Sequence, residues 1–166
     1  MRLTLVRNSP LLLSHKHRFA NPIVADICPE HKTIVMKVNR VWANLAVNDL
    51  EKTTAFYTRL GFKPNGPHSK TSDLTSFLVG DDEFVMHFFL ADKLKPAMKG
   101  ELADPKQGNE IIFTLSAETK EEVNQWAKEV QQTGGTLVSE PEEFGAGYYG
   151  FVFADPDGHK FNVFYM

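Results

Sequence analysis

An internal echo constrains this chain more than any other feature. Its clearer copy is the stretch Tyr148-Tyr149-Gly150-Phe151-Val152-Phe153-Ala154, then Asp155-Pro156-Asp157-Gly158, then His159-Lys160-Phe161-Asn162-Val163-Phe164-Tyr165-Met166. Pro156 presets φ for a turn and Gly158 tolerates φ > 0, so two aromatic strands joined as a β-hairpin are predicted. Alternation along the second strand places Phe161, Val163 and Tyr165 on one face and Asn162, Phe164 and Met166 on the other. Both faces are mostly apolar, as for a sheet covered on one side and curved around a cleft on the other. The fainter copy is Ser76-Phe77-Leu78-Val79, then Gly80-Asp81-Asp82, then Glu83-Phe84-Val85-Met86-His87-Phe88-Phe89-Leu90. Laying Asp82 on Asp157 sets His87 on Asn162, each a lone polar residue amid apolar neighbours.

The echo extends upstream of both hairpins. Val41-Trp42-Ala43-Asn44-Leu45-Ala46-Val47 reads as a strand, and Asn48-Asp49 offers a helix N-cap. Leu50, Thr54, Phe56, Tyr57 and Leu60 recur at helical spacing until Gly61 stops the helix and Phe62 begins another strand. In the second half, Glu110-Ile111-Ile112-Phe113-Thr114-Leu115 reads as a strand. Ser116 or Thr119 caps a helix through Glu121, Val123, Trp126, Ala127 and Val130, Gly134-Gly135 ends it, and Thr136-Leu137-Val138 follows as strand. Residues 141–147 read as a loop. The order strand, helix, glycine, strand, hairpin, met twice, predicts an α+β fold of two tandem βαβββ modules that pair their half-sheets around a central cleft. Module one spans residues 40–90, an aperiodic charged linker 91–108, and module two 109–166, within a single domain over 36–166. Residues 1–35 read as an N-terminal extension outside the fold, and its His15, His17 and His31 as solvated rather than metal-binding.

Charge narrows the function classes. Residues 1–35 carry five Lys/Arg against two acids, leaving thirteen against nineteen beyond. An acidic body offers no groove for phosphates, so nucleic acid is not an expected partner. No run of about 18 apolar residues exists, so no membrane span is expected. Cys28 is the only cysteine, which rules out an intrachain disulfide and a Cys-based zinc site and fits a reducing, cytoplasmic location. Thirteen phenylalanines exceed what a core of this size ordinarily uses, and point to an aromatic-lined cleft.

Matching the first strands of the two modules sets Trp42 against Glu110, and matching the last sets His87 against Asn162. These four residues are expected to converge. Asn44 shares the face of Trp42. His159 follows the turn glycine and alternates away from Asn162, so it reads as a solvated turn histidine.

The chain resembles the vicinal oxygen chelate superfamily, which includes glyoxalase I, extradiol dioxygenases and the bleomycin and fosfomycin resistance proteins. The carriers are Asn44-Leu45-Ala46-Val47-Asn48-Asp49-Leu50 with Phe56-Tyr57 and Leu60-Gly61-Phe62, and Asp155-Pro156-Asp157-Gly158-His159 with Phe164-Tyr165-Met166. The resemblance covers residues 36–166. In metal-dependent members, His, Gln or Glu at the four convergent positions hold a divalent ion such as Zn, Ni, Mn or Fe. Carried over singly, His87, Glu110 and Asn162 become the metal-ligand candidates, while Trp42 stands where a histidine or glutamine is usual. Asn44 could complete the polar set.

Two functions follow as expectations. One is a glyoxalase-like lyase or isomerase acting next to a carbonyl, with Glu110 abstracting the proton and His87 polarising the oxygen. The other is a small-molecule binding and sequestering protein of the bleomycin-resistance type, with Trp42, Asn44, Phe89, Tyr149, Phe153 and Phe164 lining the substrate site alongside Tyr148. A thiol transferase acting on fosfomycin would need a fuller metal shell and cations for the phosphonate. The resemblance also implies a homodimer.

Overall fold

The computed structural model describes residues 38–145 and 147–166. His15, His17, Cys28 and His31, with the rest of the expected extension, lie outside the described residues. The first module runs β1 (Trp42–Val47), α1 (Leu50–Arg59), β2 (Lys63–Pro64), β3 (Leu74–Val79) and β4 (Phe84–Leu90). A short helix, α2 (Ala91–Met98), follows. The second module runs β5 (Ile112–Ser116), α3 (Lys120–Thr133), β6 (Thr136–Leu137), β7 (Glu142–Phe144), β8 (Tyr148–Ala154) and β9 (Lys160–Tyr165). The first sheet has strand order β1-β4-β3-β2, and the second β5-β9-β8-β6 with β7 also paired to β8. In each module the first strand runs parallel to the last, and the last two form an antiparallel hairpin. This is the α+β arrangement of repeated βαβββ units.

Local chemistry sets the helix ends. The Asp49 side chain accepts the N–H of Lys52 at 3.0 Å at the start of α1, and Thr119 accepts that of Glu122 at 3.1 Å at the start of α3. Gly134 closes α3 at φ 96°, a conformation that a side chain would strain.

One core serves both modules. Odd-numbered residues of β8 and β9 face the helices: Phe151, Phe153, Phe161 and Val163 are fully buried. Tyr57 of α1 stacks on Phe88 of the first sheet at 4.3 Å and lies 5.9 Å from Phe161 of the second. Phe56 meets Phe153, and Phe62 meets Trp126 of α3 edge-on. Truncating one such ring to alanine costs about 3–5 kcal/mol. Because the helices cover one face of each sheet, the other face of each is left open.

Two segments differ from expectation. The stretch expected to be structureless linker begins as α2, which buries only Leu94 and therefore shows no apolar period in the sequence. The stretch expected to be loop contains β7, whose Phe144 pairs with Tyr148 across a turn holding Gly145 and Gly147 at positive φ. Among the described residues no helix is long and apolar enough to cross a membrane.

Candidate ligand-binding faces

On the open face of the first sheet a polar rung crosses three strands. Asn44 of β1, His87 of β4 and Ser76 of β3 stand in register. Asn65 Nδ2 donates to Ser76 Oγ at 3.1 Å and fixes that end. Apolar rungs flank the polar one: Trp42 lies beside Val85 and Leu78, and Ala46 beside Phe89 and Leu74. Phe89 meets the His87 ring edge-on, with centroids 5.9 Å apart.

His87 is the anomaly of this face. Its Nδ1 is fully enclosed and has no hydrogen-bond partner among the described residues. Burial lowers the imidazole pKa below its ordinary value, so the ring is neutral at pH 7. A buried polar atom without a partner costs about 1–3 kcal/mol. Neither Glu110 nor Asn162 bonds to this atom.

The second sheet repeats the rung with different chemistry. Thr114 of β5, Asn162 of β9 and Val152 of β8 stand in register. Ile112, Lys160 and Ala154 form the rung on one side, and Ser116, Phe164 and Gly150 that on the other. Phe164 is joined by Tyr148 at 6.1 Å, which in turn stacks on Phe144 at 5.8 Å with an interplanar angle of 16°. Gly150 makes this possible. A Cβ there would strike Val163 O and come within 2.9 Å of Phe164 Cβ.

Register corrects the expected quartet. Asn44 stands five residues before the N-cap Asp49, as Thr114 does before the N-cap Thr119, and each pairs with the mid-strand polar residue of its last strand, His87 or Asn162. The counterpart of Trp42 is therefore Ile112, not Glu110. Glu110 is exposed and precedes β5, because β9 begins at Lys160 opposite Ile112 and offers Glu110 no partner. His87 and Asn162 are equivalent, as expected, but they belong to different sheets.

Two expected wall residues face the other way. Phe153 is fully buried, stacked on Phe161 at 5.1 Å. Tyr149 packs toward the core, donates its hydroxyl to Asn124 Oδ1 at 2.9 Å and carries the Lys120 ammonium over its ring. Both have the odd parity of the helix-facing side of β8. Trp42, Asn44, Phe89 and Phe164 are on the open faces, with Trp42 53% exposed. Ser76, Thr114 and Lys160 share those faces and were not singled out from the sequence, although strand alternation alone places them there.

His159 also departs from expectation. It is buried, and its Nδ1 lies 2.9 Å from Asp155 Oδ2. Asp155 Oδ1 accepts the N–H groups of Asp157, Gly158 and His159. The turn is a closed network rather than a solvated loop.

The donor set does not fit a divalent ion. Among the described residues no three His, Cys, Asp or Glu side chains come together. Indole has no lone pair to give, a neutral amide is a weak donor, and Ile112 has none, so His87 stands alone among nitrogen, sulfur or carboxylate ligands on the rungs.

The family model described as Glyoxalase/Bleomycin resistance protein/Dioxygenase superfamily matches residues 39–163. Among solved structures, a hypothetical protein from S. aureus is similar at 31% identity, covering 79% of this chain and 96% of that one, with a TM-score of 0.69. A glyoxalase-related enzyme from Fulvimarina pelagi is similar at 19% identity over 78% of this chain and 89% of that one, with a TM-score of 0.68. The fosfomycin resistance protein FosX from Listeria monocytogenes is similar at 19% identity over 79% and 93%, with a TM-score of 0.59. These last two likenesses concern the fold. No match was found among curated proteins.

Proposed function

The chain belongs to the Glyoxalase/Bleomycin resistance protein/Dioxygenase superfamily, and from that premise we propose that it binds a small amphipathic molecule on its open sheet faces without a metal ion. The enclosed, unpartnered Nδ1 of His87 carries this reading. Because this nitrogen has no partner within the protein, turning the ring toward a ligand on the open face would give up no hydrogen bond, and the apolar rungs on either side would hold the ligand's carbon skeleton. Trp42 and Phe89 supply that apolar wall on the first sheet, with Asn44 and Ser76 as further polar groups.

Proton abstraction next to a carbonyl is the less supported reading. It asks Glu110 and His87 to act on one substrate atom, and Glu110 lies exposed ahead of β5 while His87 sits within the first sheet. A homodimer is part of the proposal. Trp42, Ile112 and Tyr148 leave apolar surface exposed on both open faces, which a second copy would cover.

The test is a thermal-shift screen of small planar and amphipathic molecules, followed by calorimetry on the wild type and on Trp42→Ala and His87→Phe. A ligand whose affinity falls in both variants supports the assignment. Affinity unchanged in both would place the ligand elsewhere, and methylglyoxal hemithioacetal turnover lost in Glu110→Gln would replace binding with catalysis.

A further inference from the structure

A cavity beside β5 points to the class of molecule that suits the open face of the second sheet. Its volume is about 510 Å³, its floor is Ile112, Val152 and Val138, and Lys160 and Lys106 are its cations against the single carboxylate of Glu110. One wall is the loop ahead of β5, and that wall is built. Asn109 Nδ2 donates to Pro105 O at 2.7 Å, the Lys106 N–H donates to Asp104 Oδ1 at 2.9 Å, and the loop lies so close to Gly158 that a Cβ there would come within 3.1 Å of Lys106 Cγ.

Lys160 is half-buried on this floor, and among the described residues no carboxylate pairs with it. Along β9 the open face then shows Asn162, whose amide makes no hydrogen bond among the described residues, and Phe164. At about 3.3 Å per residue, the backbone distance from Lys160 to Phe164 is roughly 13 Å. A cation without a carboxylate partner at one end, an amide in the middle and the Tyr148–Phe164 aromatic pair at the other form a linear pattern.

We infer that the ligand of this face is an aromatic anion, its ring on the Tyr148 and Phe164 platform, its carboxylate or other anionic group at Lys160, and Asn162 bonding the link between them. The inference rests on the small-molecule reading and narrows it. A lysine that lines an apolar cavity attracts an anion held in that cavity more strongly than one in open water, because less solvent screens the pair. The rings supply stacking surface with no charge preference.

The experiment is calorimetry on the full chain with naphthylbutyrate, its primary amide and the corresponding amine, three molecules of one shape and different charge. The acid is expected to bind roughly five- to tenfold more tightly than the amide, as a half-buried charged hydrogen bond gives, and the amine more weakly than either. Lys160→Met is expected to bring the acid-to-amide ratio to one and Lys160→Arg to keep it, while Tyr148→Leu weakens acid and amide together. Circular dichroism on each variant checks that it is folded. A ratio of one in the wild type, or a ratio that survives Lys160→Met, overturns the inference. If acid and amide bind equally and Tyr148→Leu weakens both, the small-molecule reading stands and the anion does not. If none of the three binds, the inference falls, and the screen of other planar ligands decides the broader reading.

Discussion

The Tyr57 hydroxyl donates to Asp155 Oδ2 at 2.7 Å, tying the helix of the first module to the last turn of the second. Both groups are buried. Asp155 also receives three backbone N–H groups and the His159 ring, so one carboxylate organises the turn that precedes β9. Tyr57→Phe removes one donor from a buried charge and is expected to cost about 1.5–3 kcal/mol. Asp155→Ala removes the acceptor of five donors, of which only the Gly158 N–H keeps a second one in the Asp155 carbonyl, and is expected to cost more than about 4 kcal/mol. Urea unfolding of the two variants and the double variant measures this, and a cycle without coupling would show that the bond is not what joins the modules.

The same carboxylate sets an acid limb to stability. Burial pushes the Asp155 pKa up, but the hydrogen bond and charge of the His159 ring, with hydrogen bonds from the Tyr57 hydroxyl and the His159 N–H, outweigh it and hold the group below the usual carboxylate range. With the folded value below the unfolded one, the stabilisation is present above about pH 3.9 and is lost as pH falls through the folded value. Asp155→Asn keeps the shape and removes the titration. Its stability is expected to vary less with pH than the wild type's between about pH 2 and 5, and parallel acid limbs in the two proteins would contradict the assignment.

His87 sets function against stability. Since Nδ1 is enclosed and unpartnered, His87→Phe exchanges an unsatisfied polar atom for carbon of similar shape. Unfolding free energy is expected to hold or rise by up to about 2 kcal/mol, while ligand affinity falls. A histidine in the wild type is also expected to titrate below its ordinary value, because burial disfavours the cation. By the same sign, stability is present above the unfolded histidine value of about 6.5 and declines as pH falls through the folded one. A large destabilisation in His87→Phe would mean that the imidazole has a structural partner.

Metal addition is expected to do little. A divalent ion that bound the native state at a hundred times its dissociation constant would stabilise the fold by about 2.7 kcal/mol. With one imidazole and no carboxylate on the open rungs, Ni²⁺, Zn²⁺, Mn²⁺ and Fe²⁺ are each expected to leave Tm unchanged. Elemental analysis of protein prepared without chelator provides the independent check. Stoichiometric metal that disappears in His87→Ala would restore the chelate reading.

Much of the fold was legible because it is written in short-range signals. Asp49 and Thr119 cap their helices, Gly134 ends one, and the Asp155 turn joins two strands whose alternation is correct residue by residue. The equivalence of His87 and Asn162 was legible too, because each hairpin fixes its own register. Where β5 begins was not. A parallel strand takes its register from a distant partner, and nothing in the run Glu110-Ile111-Ile112 says that β9 starts opposite Ile112. That shift of two residues turned an exposed Glu110 into an apparent ligand. Phe153 and Tyr149 were misjudged for a different reason: β8 has aromatics on both faces, so residue type could not say which face meets the helices. His159 was misread because its burial depends on Asp155 and Tyr57, and the latter is far away in sequence.

Gly150 tests whether the aromatic platform is a functional device or a by-product of the core. Phe164 lies across β8 at this glycine, and an added methyl would meet both Val163 O and the Phe164 backbone and Cβ. The φ of Gly150 is not in the left-handed region, so glycine is kept here for space rather than for conformation. Gly150→Ala forces β9 or Phe164 to move, and overpacking of this kind costs about 1–3 kcal/mol. The displaced ring leaves Tyr148, which is expected to weaken binding of aromatic acids and amides alike while the acid-to-amide preference, set at Lys160, persists. Calorimetry on Gly150→Ala with the same naphthyl probes reads both quantities. Affinity retained despite the loss of stability would show that Phe164 serves only the packing of the sheet.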